Sequence, residues 1–225
     1  MNHRMIRLAL VGGFAGWLPL VGCSYLAPAR DPSRYFTLAA LPDAERVSAR
    51  APSEASSDVH GIMYGLGPIK VPAYLDRNEI ATRQSPSEMT YSATDYWAEP
   101  LQANVSRVLL QNLSTLLETD RIATYPWPAT VKVAYQVQVE LLRFERDAAG
   151  EAWLNARWAI RAGTGGGLLV IKESNLSRPA TARSTAESVA ALSGTLGELS
   201  QEIAAALRQL PPPPPPDTKP AKKRM

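Results

Sequence analysis

Cys23 is the residue with the most distinctive chemistry in the sequence, because it is the only cysteine among 225 residues. A single thiol has no disulfide partner within its own chain. A thiol is also the side chain that can carry a lipid through a thioether. The residues before it, Leu20, Val21 and Gly22, are apolar or small and let a peptidase approach the backbone. The sequence therefore marks Cys23 as a candidate modification site.

Cys23 follows a segment that is typical of a secretory signal. Arg4 and Arg7 form a short basic region, and residues 8–21 form an apolar region interrupted by glycines and a proline. This apolar region is too short and too rich in glycine for a stable membrane-spanning helix. Its ending, LVGC, resembles the lipobox of bacterial lipoproteins, in which the cysteine receives a diacylglyceryl group. We therefore expect a signal peptide at residues 1–22 and a mature chain that begins at Cys23.

The residue after the cysteine indicates the destination membrane. In bacterial lipoproteins an Asp at this position usually directs retention in the inner membrane, and here the residue is Ser24. The resemblance therefore implies anchoring at the outer membrane. The two or three acyl chains of such a lipoprotein anchor stably, whereas one chain binds only marginally. Residues 23–33 are short and polar, and we interpret them as a lipidated tether that reaches about 35 Å when extended.

The other chemistry-bearing residues do not form a catalytic or metal-binding pattern. One histidine lies in the signal and the other is His60, so metal sites and histidine-activated nucleophiles lack their parts. The glycine-rich residues 163–167 precede a predicted strand, which favours a hairpin loop over a phosphate-binding loop. Carboxylates such as Asp76, Glu79 and Glu99 leave a paired-carboxylate hydrolase as an alternative. We interpret the chain as a non-enzyme without a cofactor.

Two amphipathic helices give the clearest structural pattern. In residues 91–117 one face is almost entirely aliphatic; its members are Leu101, Val105, Val108, Leu109, Asn112, Leu113, Leu116 and Leu117. Pro100 suits a first helical turn, which predicts a start near residues 96–99 with Thr94 or Asp95 as the cap. The second helix is predicted over residues 185–207; its apolar stripe is Val189, Leu192, Leu196, Leu199 and Ile203.

Alternating apolar residues predict strands around these helices. The shorter strands are predicted at residues 34–38, 61–71, 80–83, 89–91 and 121–125. A long strand over residues 131–141 has a bulge after Leu141, and a turn at residues 147–150 leads into a meander. The next strand places Leu154, Ala156, Trp158 and Ile160 on one face, and a further strand covers residues 168–173. The order predicts a single α+β domain over residues 34–210, with a largely antiparallel sheet and two amphipathic helices packed on one face.

The net charge of +3 and the pI of about 9.1 arise from the ends of the chain. Arg4 and Arg7 contribute +2 and the tail contributes +3, so the body carries −2. No basic face indicates a nucleic-acid partner. The tail, residues 211–225, starts with six prolines and ends in a basic cluster. This composition predicts a stiff polyproline segment followed by disordered residues.

Several segments together resemble the PqiC-type lipoproteins, the family of ABC-type transport auxiliary lipoproteins. The most specific are VPAYLDR, within the matching residues 67–77, and WAEPL, within the matching residues 96–101. Weaker matches are RYFTL at residues 34–38, YPW at residues 125–127, RFERD at residues 143–147 and the second helix. The resemblance extends over nearly all of residues 35–207. Members of the family commonly have Arg where this chain has Tyr96.

The resemblance implies a non-catalytic subunit of an MCE-type lipid transport system that maintains the cell envelope. The implied partners are an MCE-domain transport protein and, through Cys23, the lipid of the outer membrane on its periplasmic face. Self-association is left open. The alternatives from other classes are a membrane-anchored hydrolase of envelope substrates and a purely structural envelope lipoprotein.

The turn after the second predicted strand is a candidate partner-binding surface. Tyr74, Leu75, Asp76 and Arg77 place an aromatic, an aliphatic and two charged side chains after Pro72, a composition that suits an interface anchor. The other interpretation is a structural turn, in which Tyr74 and Leu75 fill the core and Asp76 pairs with Arg77.

Removal of the thiol tests the predicted anchor. We expect Cys23→Ala to give an unprocessed precursor that takes up no labelled palmitate, because no other side chain supplies the thioether. Labelling in cells followed by membrane fractionation measures both properties. Palmitate labelling of the Cys23→Ala protein in the outer-membrane fraction would show that the anchor lies elsewhere.

Overall fold

The computed structural model describes residues 31–41, 61–163, 166–180 and 184–211. The chain divides into a short unit, Met1–Pro32, and a larger unit, Ser33–Met225, which contains every element given below. The predicted signal peptide, Cys23, most of the tether, His60 and the tail after Pro211 lie outside the described residues.

Strands and helices follow one another in the predicted order. The strands are β1 (Arg34–Phe36), β2 (Tyr64–Lys70), β3 (Glu79–Ser85), β4 (Glu88–Trp97), β5 (Ile122–Thr124), β6 (Tyr135–Asp147), β7 (Glu151–Ala162) and β8 (Leu168–Pro179). The helices are α1 (Leu101–Leu116) and α2 (Thr185–Arg208). The prediction of an α+β fold is confirmed.

The described strands form one curled, mixed sheet. Its order is β1-β4-β3-β6-β2-β5, and β7 and β8 continue it from β6. The pairs β3–β4, β6–β7 and β7–β8 are antiparallel, as expected. The pairs β1–β4, β2–β5, β2–β6 and β3–β6 are parallel. Parallel pairing requires a crossover, and α1 lies on the path from β2 to β5. The expected antiparallel pairing therefore holds for the β6–β7–β8 meander, whereas the parallel pairs were not expected.

Strand β6 is central to the sheet because two strands, β2 and β3, pair with successive parts of one of its edges. Its first half pairs with β2, from Tyr64↔Tyr135 to Lys70↔Glu140. Its end pairs with β3 through Thr82↔Arg146. The predicted bulge is confirmed, since the β6–β7 register shifts between residues 141 and 143.

Helix α1 begins later than its sequence pattern predicted. Pro100 is the N-cap residue and Leu101 is the first helical residue. Residues 88–97 are strand β4, so the prediction of Asp95 or Thr94 as the cap was wrong. The stretch is rich in Tyr, Thr and Trp, which favour strands, and the residue before a proline avoids helical geometry. Helix α2 matches its prediction closely and is capped by the Ser184 hydroxyl, which accepts a hydrogen bond from the Glu187 N–H.

Both helices pack on one face of the sheet and enclose the core with it. Helix α1 packs against β2 and β5, and α2 packs against β6, β7 and β8. The predicted apolar faces are buried, including Leu109 and Leu113 of α1 and the alternating residues of β7 from Leu154 to Ile160. The helices contact each other directly, since the Asn112 amide donates a 3.0 Å hydrogen bond to the Ser200 hydroxyl of α2.

Truncation of the α1 leucines tests this packing. Leu109 is 0% exposed and Leu113 is 1% exposed. We expect Leu109→Ala and Leu113→Ala each to lower the free energy of unfolding by about 2–5 kcal/mol, because each removes buried apolar volume and leaves a cavity. Gln111→Ala, at an exposed position of the same helix, is the matched control and should change stability little. Denaturant unfolding measures all three, and wild-type stability in both leucine variants would place this face outside the core.

Candidate functional site

The β2–β3 turn, residues 71–78, lies where β6 exchanges one neighbouring strand for the next. The Leu75 and Asp76 N–H groups donate to the Pro72 carbonyl and form a single helical turn. Leu75 is buried in the core. The Tyr74 hydroxyl donates to the Glu145 carboxylate at 3.0 Å and lies 3.3 Å from the Leu142 carbonyl. Two of the four candidate interface residues therefore have structural roles.

Asp76 and Arg77 are the exposed residues among these four candidates. Arg77 pairs with Glu79 at 3.3 Å rather than with Asp76. Its guanidinium also lies 4.3 Å from the centroid of the Tyr91 ring. The structure thus leaves the charged side chains of Asp76 and Arg77 accessible to a partner. Partner binding by this turn stays a prediction.

Glu145 is the most deeply buried charge in the described fold, and sequence reasoning missed its role. It is 1% exposed and forms ion pairs with Arg83 at 2.7 Å and Arg143 at 2.8 Å. The Phe144 N–H donates a further hydrogen bond of 3.0 Å to the same carboxylate. The sequence held one signal, a glutamate beside a core phenylalanine after the bulge. That signal did not show which basic residues would converge on it.

The Glu145 cluster also changes the acidity of Tyr74. Burial, together with the neighbouring Glu145 carboxylate, raises the pKa of Tyr74 to about 12. The hydrogen bond to Glu145 likewise raises the pKa of Arg83. Tyr74 and Arg83 therefore stay protonated at neutral pH, and the Tyr74 hydroxyl remains a donor. This arrangement stabilises the junction of β2, β3 and β6.

A second polar network holds the segment after β1 between the helices. We call this segment, residues 37–41, the strap. The Leu38 N–H donates to Asn104 Oδ1 at 3.1 Å, and the Leu41 N–H donates to Asn112 Oδ1 at 2.8 Å. From α2, Ser193 Oγ accepts from the Ala39 N–H at 3.1 Å. Both asparagines are buried, and the sequence had placed Asn112 on an otherwise aliphatic face. That polar residue was the available signal of a strap.

Two further contacts fix the strap against the helices. Arg107 donates to the Thr37 hydroxyl at 2.7 Å and to the Leu38 carbonyl at 3.2 Å. Helix α2 approaches Leu41 so closely at Gly197 that an added Cβ would lie 2.5 Å from Leu41 Cδ2. Glycine at this position therefore permits the contact. The strap connects β1 to both helices.

Strand β1 is fixed by an ion pair that replaces the predicted helix cap. The Arg34 guanidinium donates to both Asp95 oxygens, at 2.7 and 2.9 Å. The Thr185 hydroxyl at the start of α2 donates to the same carboxylate at 2.5 Å. Burial opposes ionisation of Asp95, but the hydrogen bonds from Thr185 and Arg34 outweigh it, and its pKa is lowered. Asp95 thus links β1, β4 and α2.

Two clefts open on the surface of the described fold. One of about 330 Å³ lies beside the end of the strap, against Arg178, Gly194 and Glu198. The other, of about 240 Å³, lies between the β2 bulge and α1 and is bordered by Gln102 and Tyr125. Ligand pockets usually measure about 300–1,000 Å³, so the first cleft lies at the lower end of that range and the second lies below it.

The segment YPW, residues 125–127, covers the glycines of β2. The Trp127 ring lies so close to Gly65 that an added Cβ would be 2.5 Å from it. The Tyr125 and Trp127 rings pack edge to face with centroids 5.7 Å apart. Tyr125 is nevertheless 55% exposed, so the segment is an aromatic surface as well as a cover.

The described residues show neither a metal cluster nor a membrane span. Within them, no group of three or more His, Cys, Asp and Glu side chains is placed to hold a metal ion. None of the helices in this part of the chain combines the length and the hydropathy needed to cross a membrane. Two of the carboxylates considered for a hydrolase are in ion pairs: Glu79 pairs with Arg77, and Glu99 pairs with Arg107 at 2.9 Å.

The fold and sequence can now be compared with known proteins. Residues 40–204 match the family described as ABC-type transport auxiliary lipoprotein component. The chain belongs to this family. The resemblance seen in the VPAYLDR and WAEPL segments is therefore confirmed. Membership makes the chain an auxiliary lipoprotein component of an ABC-type transport system. No curated protein matches the sequence.

Solved structures share the fold at low sequence identity. The crystal structure of a DUF330 protein from Xanthomonas campestris has a TM-score of 0.63 at 16% identity and covers 78% of this chain and 94% of its own. The crystal structure of an uncharacterized protein has a TM-score of 0.62 at 18% identity and covers 78% of this chain and 98% of its own. At these identities the likeness shows the fold alone.

The Tyr74 hydroxyl makes stability depend on pH in the alkaline range. The unfolded tyrosine ionises near 10.0 and the folded Tyr74 at about 12. Its contribution to stability is therefore complete below pH 10 and is lost as the pH rises toward 12. We expect Tyr74→Phe to flatten the decline in the free energy of unfolding across this window, measured by urea unfolding. Tyr125→Phe, at an exposed tyrosine, is the control, and an equally steep decline in Tyr74→Phe would contradict the assignment.

Proposed function

We propose that this chain is a non-catalytic, lipid-anchored subunit of an MCE-type lipid transport system, held on the periplasmic face of the outer membrane. The observation that carries the proposal is the family match over residues 40–204, taken with the LVGC motif that ends at Cys23. The family supplies the role in transport. The motif supplies the anchor.

The first elements of the fold suit a domain that is held by its N-terminal end. Ten residues lie between Cys23 and Arg34, where β1 begins. Arg34 is paired with Asp95 through two hydrogen bonds, and the strap that follows is bonded to both helices. A force on the tether would therefore act on the core rather than on a loose terminus. This supports a working position close to a membrane.

Ser24 supports the outer membrane as that position, because it replaces the Asp that commonly retains lipoproteins in the inner membrane. The transport partner then has to reach from the inner membrane to the outer membrane. A partner that spans the periplasm meets this requirement, and an MCE-domain protein is such a partner. This lipoprotein would bind the end of the MCE-domain protein that reaches the outer membrane.

The geometry of the carboxylates supports a non-catalytic role. A glycosidase-type hydrolase requires one carboxyl group with a raised pKa as its general acid. Within the described residues, the carboxyl groups with a resolved shift have lowered pKa values. Burial opposes this in Asp147, but N–H donors from Glu151 and Trp153 outweigh it. The pKa of Glu79 is lowered by a hydrogen bond from its own backbone N–H and by one from Arg77.

Co-purification from the native envelope tests the proposal. We expect the affinity-tagged, lipidated chain to fractionate with the outer membrane and to retain an MCE-domain protein, identified by mass spectrometry. Ser24→Asp is the matched control for the membrane assignment and should move the chain to the inner-membrane fraction. A folded, lipidated chain that retains no MCE-domain protein, or that hydrolyses an envelope substrate, would contradict the proposed function.

A further inference from the structure

The longest free edge of the sheet belongs to β8. This strand has 12 residues and pairs with β7 alone. No strand in the described part of the chain pairs with its outer edge, so backbone N–H and C=O groups face outward along it. By comparison, β1 and β5 have 3 residues each. A row of unpaired backbone groups is a template for another extended segment.

Two parts of β8 differ in how this edge is protected. The longer part, residues 172–179, contains Lys172, Glu173, Arg178 and Pro179, and Arg178 pairs with Glu198 of α2 at 2.5 Å. Charged side chains and prolines are the usual means of preventing strand addition. The start of the strand, residues 168–171, reads LLVI and has neither. We call these four residues the aliphatic edge.

The aliphatic edge is exposed rather than covered by the described fold. Leu168 is 50% exposed, Leu169 is 44% exposed and Ile171 is 60% exposed. Leu168 is opposite Arg161 and Ile171 is opposite Ala159 in the β7–β8 register. Since the neighbouring Ile160 is buried against the helices, Leu168 and Ile171 lie on the other face of the sheet. An added strand would place every second side chain beside them.

Two basic residues flank the aliphatic edge: Arg161 is opposite Leu168, and Lys172 follows Ile171 and is opposite Trp158 on the helix-facing side. Arg161 bonds to Gln138 and to the Gly166 carbonyl, and Lys172 lies 5.9 Å from the centroid of the Trp158 ring. Neither has an ion-pair partner among the described residues, unlike Arg157, which pairs with Glu173. A segment that pairs with this edge therefore gains from an acidic residue. Apolar side chains and one carboxylate define its chemistry.

We propose that the aliphatic edge binds an extended, acidic and aliphatic segment of the transport partner by strand addition; this rests on the proposed function. Backbone hydrogen bonds supply affinity in such complexes and alternate side chains supply specificity. A second copy of this chain fits the edge less well. Pairing the aliphatic edges of two copies would bring Arg161 and Lys172 of both copies together, while the carboxylate that follows them, Glu173, is already paired with Arg157. Like charges on one ladder are destabilising.

Replacement of apolar residues of the edge by glutamate tests the side-chain part of the proposal. In the full lipidated chain, we expect Leu168→Glu/Ile171→Glu to lower the retained MCE-domain protein by roughly tenfold, because the change repels the acidic segment and removes its apolar contacts. Leu142→Glu is the matched control, since Leu142 is a 38% exposed leucine on β6. It should retain the partner as wild type does. Thermal melting checks that each variant is folded.

Hydrogen exchange tests the backbone part. Strand addition protects outward-facing amides, whereas contact by side chains alone does not. We expect amides within residues 168–172 to exchange more slowly in the purified complex with the MCE-domain protein than in the free chain. Amides of residues 173–179 serve as the internal reference on the same strand.

The outcomes separate this proposal from the proposed function. If wild type retains the MCE-domain protein but the double variant retains it equally, or if the edge amides are not protected, strand addition is overturned and the proposed function stands. Loss of self-association with the partner retained would assign the edge to a second copy and overturn the proposal. A wild-type chain that retains no MCE-domain protein overturns both.

Discussion

The ion pairs of Glu145 with Arg83 and Arg143 hold the point at which two strands meet on one edge of β6. A buried carboxylate costs several kcal/mol unless charges and hydrogen bonds offset the lost hydration. Here two guanidinium groups, the Tyr74 hydroxyl and the Phe144 N–H supply those interactions. Since the donors come from β3, the β2–β3 turn and β6, the position of each element depends on the others. This shared dependence explains why the turn has one defined geometry.

The strap performs a similar task between the two helices. An extended segment between two helices has backbone N–H groups that need acceptors, and Asn104, Asn112 and Ser193 provide them. Leu38 and Leu41 are buried in the same segment. The result couples β1, and with it the entry of the predicted tether, to both helices. A lipoprotein domain needs such a coupling if its position relative to a membrane is to be defined.

The edges of the sheet are protected unequally. Strands β1 and β5 are short, and the aromatic residues Tyr125 and Trp127 cover the glycines next to β5. Strand β8 is long, and its charged residues, Lys172, Glu173 and Arg178, all follow the aliphatic edge. Among the described strands, the stretch of β8 that lacks charged residues is therefore the least protected edge.

Local pattern in the sequence determined much of this protein: two amphipathic helices, the β6–β7–β8 meander with its bulge near Leu141, and the α+β class. These features depend on neighbouring residues, so periodicity reveals them. The tertiary structure decided what depends on distant residues. Parallel pairing of β2 with β6 requires crossovers that no local pattern encodes. The start of α1, the use of Asp95 to bind Arg34, and the burial of Glu145 were likewise decided there. A polar side chain is expected to be exposed until its partners are known. The Arg34 partner of Asp95 lies 61 residues away in sequence, and the Arg83 partner of Glu145 lies 62 residues away.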